Sequence, residues 1–270
     1  MNKLELKTRL QNNWIFYLLT VLAALAMRYF SRITDSDALT WILKPTARWA
    51  GILGGIPFEY LPHIGYVNHT YRFIIAPSCA GIRFLMIAFL MLAFSYVHQF
   101  PSRLLKSLWF TGSAVFSYLF TILVNGIRIV AAIYLPIPFE QAGLLNGWLN
   151  PDRLHTLIGT AVYFSALCAV YPAVSYVCRC LLMQLSVPCA DNLSANVSGD
   201  EAPSPSLEPK SRLLAPAFWY LLAVLAVPFA GRIVRNDWKG FGSYALLITG
   251  ACLVILSVSC LVHKVLRFRA

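Results

Sequence analysis

The chain has 270 residues, 59% hydrophobic and 12% charged, whereas a soluble domain is normally about a quarter charged. A water-soluble globule is therefore excluded, and an aromatic content of 14% excludes a disordered chain. The net charge of +11 would suggest nucleic acid in a soluble protein; beside long apolar runs it points to anionic lipid head groups, and no nucleic-acid partner is expected.

A spanning helix needs about 20 apolar residues, because helix rise is about 1.5 Å per residue and the hydrocarbon is about 30 Å thick. In chain order, the runs Trp14–Phe30, Ile82–Val97, Leu108–Val124, His155–Val177 and Phe241–Val262 meet this requirement or nearly so. A sixth, Leu213–Arg232, is acceptable, with Pro216 and Pro228 near its ends. The weaker stretch Ala38–Phe58 is broken by Lys44, Pro45 and Arg48, and reads as a seventh span, a re-entrant pair or an interfacial helix. These runs are too long and uniform for strands, so the expected fold is all-α, a polytopic transmembrane helical bundle of about six to eight spans.

The beginning of the chain has features of a targeting signal: Lys3, Lys7 and Arg9 precede an apolar run, and Ala24-Leu25-Ala26 resembles a cleavage site. Because further spans follow, a retained signal-anchor helix is expected. From a cytoplasmic N-terminus the threading leaves Cys79 and the 125–155 stretch external, with the Arg103–Lys106 loop internal. Basic residues at the short inner segments agree with this orientation. The outer segments also carry Arg72, Arg83, Arg128, Arg153, Arg232, Arg235 and Lys239, a surplus that needs its own explanation. Residues 186–212, rich in Pro, Ser and acids and lacking aromatics, read as a polar linker. It separates a core, residues 1–185, from a C-terminal helical hairpin and basic tail, residues 213–270.

The seven cysteines show no metal or disulfide framework. Cys178 and Cys180 are too close for zinc spacing, and Cys168, Cys252 and Cys260 lie within apolar runs. Cys79 differs, lying in Pro77-Ser78-Cys79-Ala80-Gly81-Ile82-Arg83. After a short extended stretch, Arg72–Ala76, Pro77 is expected to place Ser78 or Cys79 in the first turn of the next helix. There the helix dipole favours thiolate, the form that acts as a nucleophile. Gly81 would admit the close approach of another backbone, and Arg83 would share the helix face of Cys79. The plainer alternative is a buried, inert cysteine.

Arg128 lies in the apolar sequence Asn125-Gly126-Ile127-Arg128-Ile129, about where a span leaves the membrane. Arginine bordering hydrocarbon costs about 2.5 kcal/mol or more, so it has a partner or a task unless it snorkels to the head groups. Asn125-Gly126 suggests a helix irregularity. Asp152 is expected to cap a helix with His155 in its first turn, at the depth of Cys79 and Arg128; imidazole near pKa 6.5 can exchange protons at neutral pH, although a histidine there can also be purely structural. His63, His69 and Glu59 fit no standard ligand spacing, so neither a metal nor another cofactor is expected. A cysteine, a histidine and an arginine on one membrane face form a complete set for acyl transfer.

These three segments, in this order and with Gly159 four residues after His155, resemble the exosortase/archaeosortase family over roughly residues 10–180. Ala80 stands where that family commonly has Ser. The resemblance implies a multi-spanning membrane cysteine protease/transpeptidase of the bacterial cytoplasmic (inner) membrane, with its active site facing outward. It implies Cys79 as nucleophile, with Arg128 and His155 as the other catalytic residues. The implied partners are exported proteins ending in a short motif, a transmembrane helix and a basic tail, cleaved through a Cys thioester. Arg72, Arg83 and Asn125 are candidate substrate contacts. The alternatives are a transporter or assembly subunit whose arginines guide an anionic solute, and a purely hydrolytic intramembrane protease.

Overall fold

The fold is given by a computed structural model that describes residues 3–145, 147, 149–185, 211–226, 228–229, 232–233 and 240–269. Its long helices are α1 (Lys3–Ile33), α3 (Ile82–Tyr96), α4 (Arg103–Tyr134), α6 (Pro151–Leu185) and α8 (Phe241–Arg269). Between them lie the shorter α2 (Thr40–Gly54), α5 (Pro136–Gln141) and α7 (Ser211–Leu221). Among the described residues, five helices are long and apolar enough to cross a membrane, and a shorter apolar helix spans Ala215–Ala226. The chain is a polytopic helical bundle.

The centre of the bundle is α3. Between Arg83 at its start and Ser95-Tyr96 at its end, its sequence is apolar on every side, the pattern of a helix enclosed by others. The most apolar window of its span is 67% buried, against 6% for that of α1 and 11% for that of α8; those two lie at the periphery. Around α3 pack α1, α4, α6 and α7, and α8 packs on α6. The C-terminal helices thus close the same bundle. A main apolar core joins Phe84, Met91, Phe164, Leu167, Tyr220 and Ile248, among others.

Along α4, the buried Ser113, Ser117, Thr121 and Asn125 recur every fourth residue, forming one polar, small-residue stripe. Its 32 residues span about 48 Å, more than a bilayer core of about 30 Å. The half from Tyr118 to Tyr134 runs parallel to α2. Tyr118 Oη donates to the Trp41 carbonyl at 2.7 Å, Trp49 Nε1 to that of Leu123 at 3.2 Å, and Tyr134 Oη to that of Gly54 at 2.9 Å. Gly126 makes this contact possible, since a Cβ there would collide with the Trp49 indole. The anticipated irregularity at Asn125-Gly126 is absent: α4 runs unbroken through both residues.

Three further segments take defined forms. Residues 38–58 contain α2, whose 15 residues extend only about 22 Å, too short for a straight crossing. Within the run 213–232, α7 passes into a single π turn, Leu222–Ala226, and the described residues 228–229 and 232–233 are helical too. The fold also includes a small antiparallel meander, β1 (Glu59–Leu61), β2 (Gly65–Asn68) and β3 (Phe73–Ile75), in the order β1-β2-β3. Its register pairs Tyr60 with Tyr66 and Val67 with Ile74. Only the extended reading of Arg72–Ala76 anticipated part of it, because strands this short leave no alternation to read. The linker residues 186–210, Cys189, Arg235 and Lys239 lie outside the described residues.

The meander is tied to the α1–α2 connection by Asp37. Its carboxylate accepts from Tyr60 Oη at 2.6 Å and from the His63 backbone N–H at 2.9 Å, and meets His63 Nδ1 at 3.0 Å. The hydrogen bond from Tyr60, followed by that from His63, holds the Asp37 carboxyl below the usual carboxylate range. His69 lies 3.6 Å from Glu59. The two histidines thus face separate carboxylates.

Candidate active site

The chain leaves β3 at Ile75, and Pro77–Cys79 form one 3-10 turn closed by the Cys79 N–H on the Ala76 carbonyl at 2.8 Å. Gly81 follows in the left-handed region at φ 74° and forms the N-cap of α3. Cys79 therefore lies before the helix instead of in its first turn, because Pro77 starts a separate turn that only Gly81 can redirect. A Cβ on Gly81 would sit 3.0 Å from the Asn125 side-chain amide and 3.1 Å from Thr121. The close approach that this glycine allows is to α4. Cys79 itself is half-buried, with Ser78 Oγ 4.0 Å from its sulfur.

Asn125, fully buried, is the junction of the site. Its Nδ2 donates to the Cys79 carbonyl at 2.7 Å. Its Oδ1 accepts from Tyr163 Oη at 2.6 Å and, more loosely, from Arg128 Nη1 at 3.4 Å. The amide supplies both a donor and an acceptor here, which neither a carboxylate nor a hydrocarbon of this size would do.

Arg128 is 9% exposed, so it does not snorkel. Its Nη2 lies 2.6 Å from His155 Nε2, and its guanidinium carbon lies 5.6 Å from the Tyr163 ring centroid. Guanidinium has donors only, so His155 Nε2 must be the acceptor; the imidazole is neutral, with its proton on Nδ1. A protonated imidazole would have no lone pair to offer and would break this contact. Opposite them, a Cβ on Gly159 would touch Arg128 Nε at 3.4 Å. His155, Gly159 and Tyr163, each four residues apart, present one face of α6 to Arg128.

The start of α6 is capped by Asn150, whose Oδ1 accepts from the Arg153 N–H at 2.8 Å. This role was expected of Asp152, which lies one residue inside the helix. The preference for a cap immediately before the first turn selects Asn150. The Tyr163 ring stacks on Phe84 with centroids 4.5 Å apart, which fixes the far wall of the site.

A single hydrogen-bonded chain thus runs from the Cys79 main-chain carbonyl through Asn125 and Arg128 to His155, and the Cys79 sulfur itself takes no part in it. Tyr163 was missed by the sequence reading; its signal was the i, i+4, i+8 spacing from His155 through Gly159. Two candidate substrate contacts lie elsewhere. Arg72 is exposed at the β2–β3 turn with a positive φ of 49°. Arg83 is exposed and lines a separate cavity with Arg28, Arg32 and Arg232. No group of three or more His, Cys, Asp or Glu suited to a metal occurs among the described residues.

No curated protein and no solved structure matches the chain. The family model of the transmembrane exosortases matches residues 55–172, a stretch holding the meander, α3, α4 and the half of α6 with His155, Gly159 and Tyr163. Over residues 55–172, somewhat under half of the chain, this membrane protein is similar to the transmembrane exosortases.

Proposed function

We propose that the protein is a membrane cysteine protease/transpeptidase that cleaves the C-terminal sorting signal of exported proteins. In this reading it lies in the bacterial cytoplasmic membrane with Cys79 at the extracytoplasmic face. The observation that carries the reading is the buried chain from Cys79 through Asn125 and Arg128 to His155. A transporter lining would not need a buried arginine that donates to a histidine and is tied through Asn125 to the main chain of a cysteine.

The Cys79 thiolate attacks the carbonyl carbon of the scissile peptide bond, forming a C–S bond and an oxyanion. Arg128 has five N–H donors, so it can turn toward that oxygen while leaving His155. By turning to the carbonyl oxygen as substrate binds, before the attack, Arg128 frees His155 Nε2 to take the thiol proton, and His155 later gives that proton to the departing amine as the C–N bond breaks. The resulting thioester is then taken by an acceptor amine or by water, which returns the thiol. Asn125 and Tyr163 position these groups; Asn125 fixes the Cys79 main chain, and the Tyr163 ring carries the guanidinium.

The test is processing, in membranes, of an exported protein ending in a short motif, an apolar helix and basic residues. Cys79→Ala should abolish cleavage with the protein level unchanged. Arg128→Lys should reduce it at least 100-fold, because a lysine point charge lacks the planar, forked donors that lie against the Tyr163 ring and reach the oxyanion. If both variants still cleave, the mechanism is wrong. Mass spectrometry of the new C-terminus separates transfer to an acceptor from release by water.

A further inference from the structure

The two edges of the meander differ. β1 is covered: its Tyr60 Oη and the nearby His63 N–H both bond the Asp37 carboxylate of the α1–α2 connection, and the strand begins with the charged Glu59. β3, Phe73-Ile74-Ile75, has neither a charge nor a proline. Among the described residues, no backbone hydrogen bond ties β3 to any element but β2. Sheets normally blunt an exposed edge with charge, proline, a bulge or a covering segment, because its free N–H and carbonyl groups are a template for another strand. At β3 only the shortness of the strand limits what can pair with it.

The direction of the free groups follows from Gly65. A Cβ there would lie 2.5 Å from the Ile75 carbonyl oxygen, so that carbonyl points toward β2. The N–H and carbonyl of successive strand residues point to alternate sides, which leaves those of Ile74 pointing away from β2. Ile74 is also 46% exposed, whereas Ile75 is buried in the core. The edge leads directly to Cys79. Ala76 follows the strand, and its carbonyl accepts the Cys79 N–H at 2.8 Å. A turn closed in this way holds its ends within about 7 Å, so Ile74 and Cys79 lie within about 14 Å, the reach of about four extended residues.

We propose that β3 receives the sorting motif of the exported substrate as a fourth, extended strand, with one motif residue exchanging hydrogen bonds with the N–H and carbonyl of Ile74. This assignment rests on the function proposed above and gives that function its substrate-binding element. Main-chain pairing supplies affinity, and side chains alternating along the added strand supply selectivity. The scissile bond then falls within about four residues of the paired one. A three-residue edge suits a short motif. A helical segment could not use these groups, because its own N–H and carbonyl groups are bonded within it.

The experiment uses the full chain in membranes, with an exported protein ending in a short motif, an apolar helix and basic residues as the probe. The Cys79→Ala chain holds this probe uncleaved. In it, benzoylphenylalanine in place of Ile74 should photo-cross-link to the motif, and the same group in place of Glu59 on the β1 edge should not. Saturating probe should slow hydrogen exchange of the Ile74 amide at least tenfold in the Cys79→Ala chain, a reading that needs no change at residue 74. With Cys79 intact, Ile74→Pro removes the outward N–H and should raise the KM for the probe at least tenfold, whereas Glu59→Gln should leave it unchanged. Cross-linking from residue 59 alone, Ile74 exchange unaffected by the probe, or a KM unchanged by Ile74→Pro overturns the proposal, while cleavage by the wild-type chain still supports the function. So does cross-linking from residue 74 only to a second copy of the chain, which would assign the edge to self-pairing. If the wild-type chain does not cleave the probe, the function and this proposal fall together.

Discussion

Replacing Asn125 by Leu tests the junction of the site in a measurable way. The substitution nearly conserves volume but removes the donor to the Cys79 carbonyl, at 2.7 Å, and the acceptor for Tyr163 Oη, at 2.6 Å. Asn125 is fully buried, so water cannot easily replace either partner. An orphaned buried polar group costs about 1–3 kcal/mol, and two of them give a loss of about 2–6 kcal/mol. Ile127→Val, two residues on at a position 49% exposed, should cost less than about 0.5 kcal/mol. The assay is reversible denaturant unfolding in mixed micelles. A double-mutant cycle isolates the bond: Tyr163→Phe removes the hydroxyl that Asn125→Leu would strand, so the pair should cost about 1–2 kcal/mol less than the two singles added. Strict additivity would refute the bond between Asn125 and Tyr163, and a single-variant cost below about 1 kcal/mol would refute the junction.

Gly81→Ala forces a Cβ into the left-handed region and to within 3.0 Å of Asn125. It should cost about 1–2 kcal/mol in the same assay and slow processing, while Gly112→Ala, with open space around it, should do neither. Gly159→Val should push Arg128 off His155 and reduce processing more than it reduces stability, as read by comparing cleavage rates with unfolding midpoints. The Asp37 carboxyl titrates lower when folded than unfolded, so its stabilising effect is complete above the unfolded carboxylate pKa and fades as pH falls through the folded one. Hydrogen exchange at the His63 amide, normalised for intrinsic rate, should therefore speed up as the solution is acidified below about pH 4. In Asp37→Asn the exchange should lose that pH dependence; a wild-type profile retained by Asp37→Asn would contradict it.

The helical bundle was legible because spans are written as uninterrupted apolar composition, which lipid imposes on every residue that faces it. The meander was not, since three- and four-residue strands are specified by turns and by contacts such as Asp37 with Tyr60 and His63, distant in sequence. At the site, Cys79, Arg128 and His155 were legible as reactive types in unusual surroundings. Their connection was not. Asn125 reads as a break in α4 when taken alone, and only its bonds to the Cys79 carbonyl and to Tyr163, both distant in sequence, show why an amide is needed there. Tyr163 was hidden among many aromatics, although its spacing from His155 was visible. Arg83 shows the converse: proximity in sequence to Cys79 suggested a shared helix face, but the separate turn before Gly81 leaves Arg83 lining a cavity that Cys79 does not reach.

The most direct measurement is to look for the covalent intermediate. Membranes holding the protein and an exported substrate are quenched in acid, and the Cys79 peptide is examined by mass spectrometry. The mechanism predicts a substrate acyl group on Cys79 that hydroxylamine removes and that is absent when Arg128 is replaced by Lys. Cleavage of substrate by the Cys79→Ala protein, or an acyl group carried on any other residue, would contradict it.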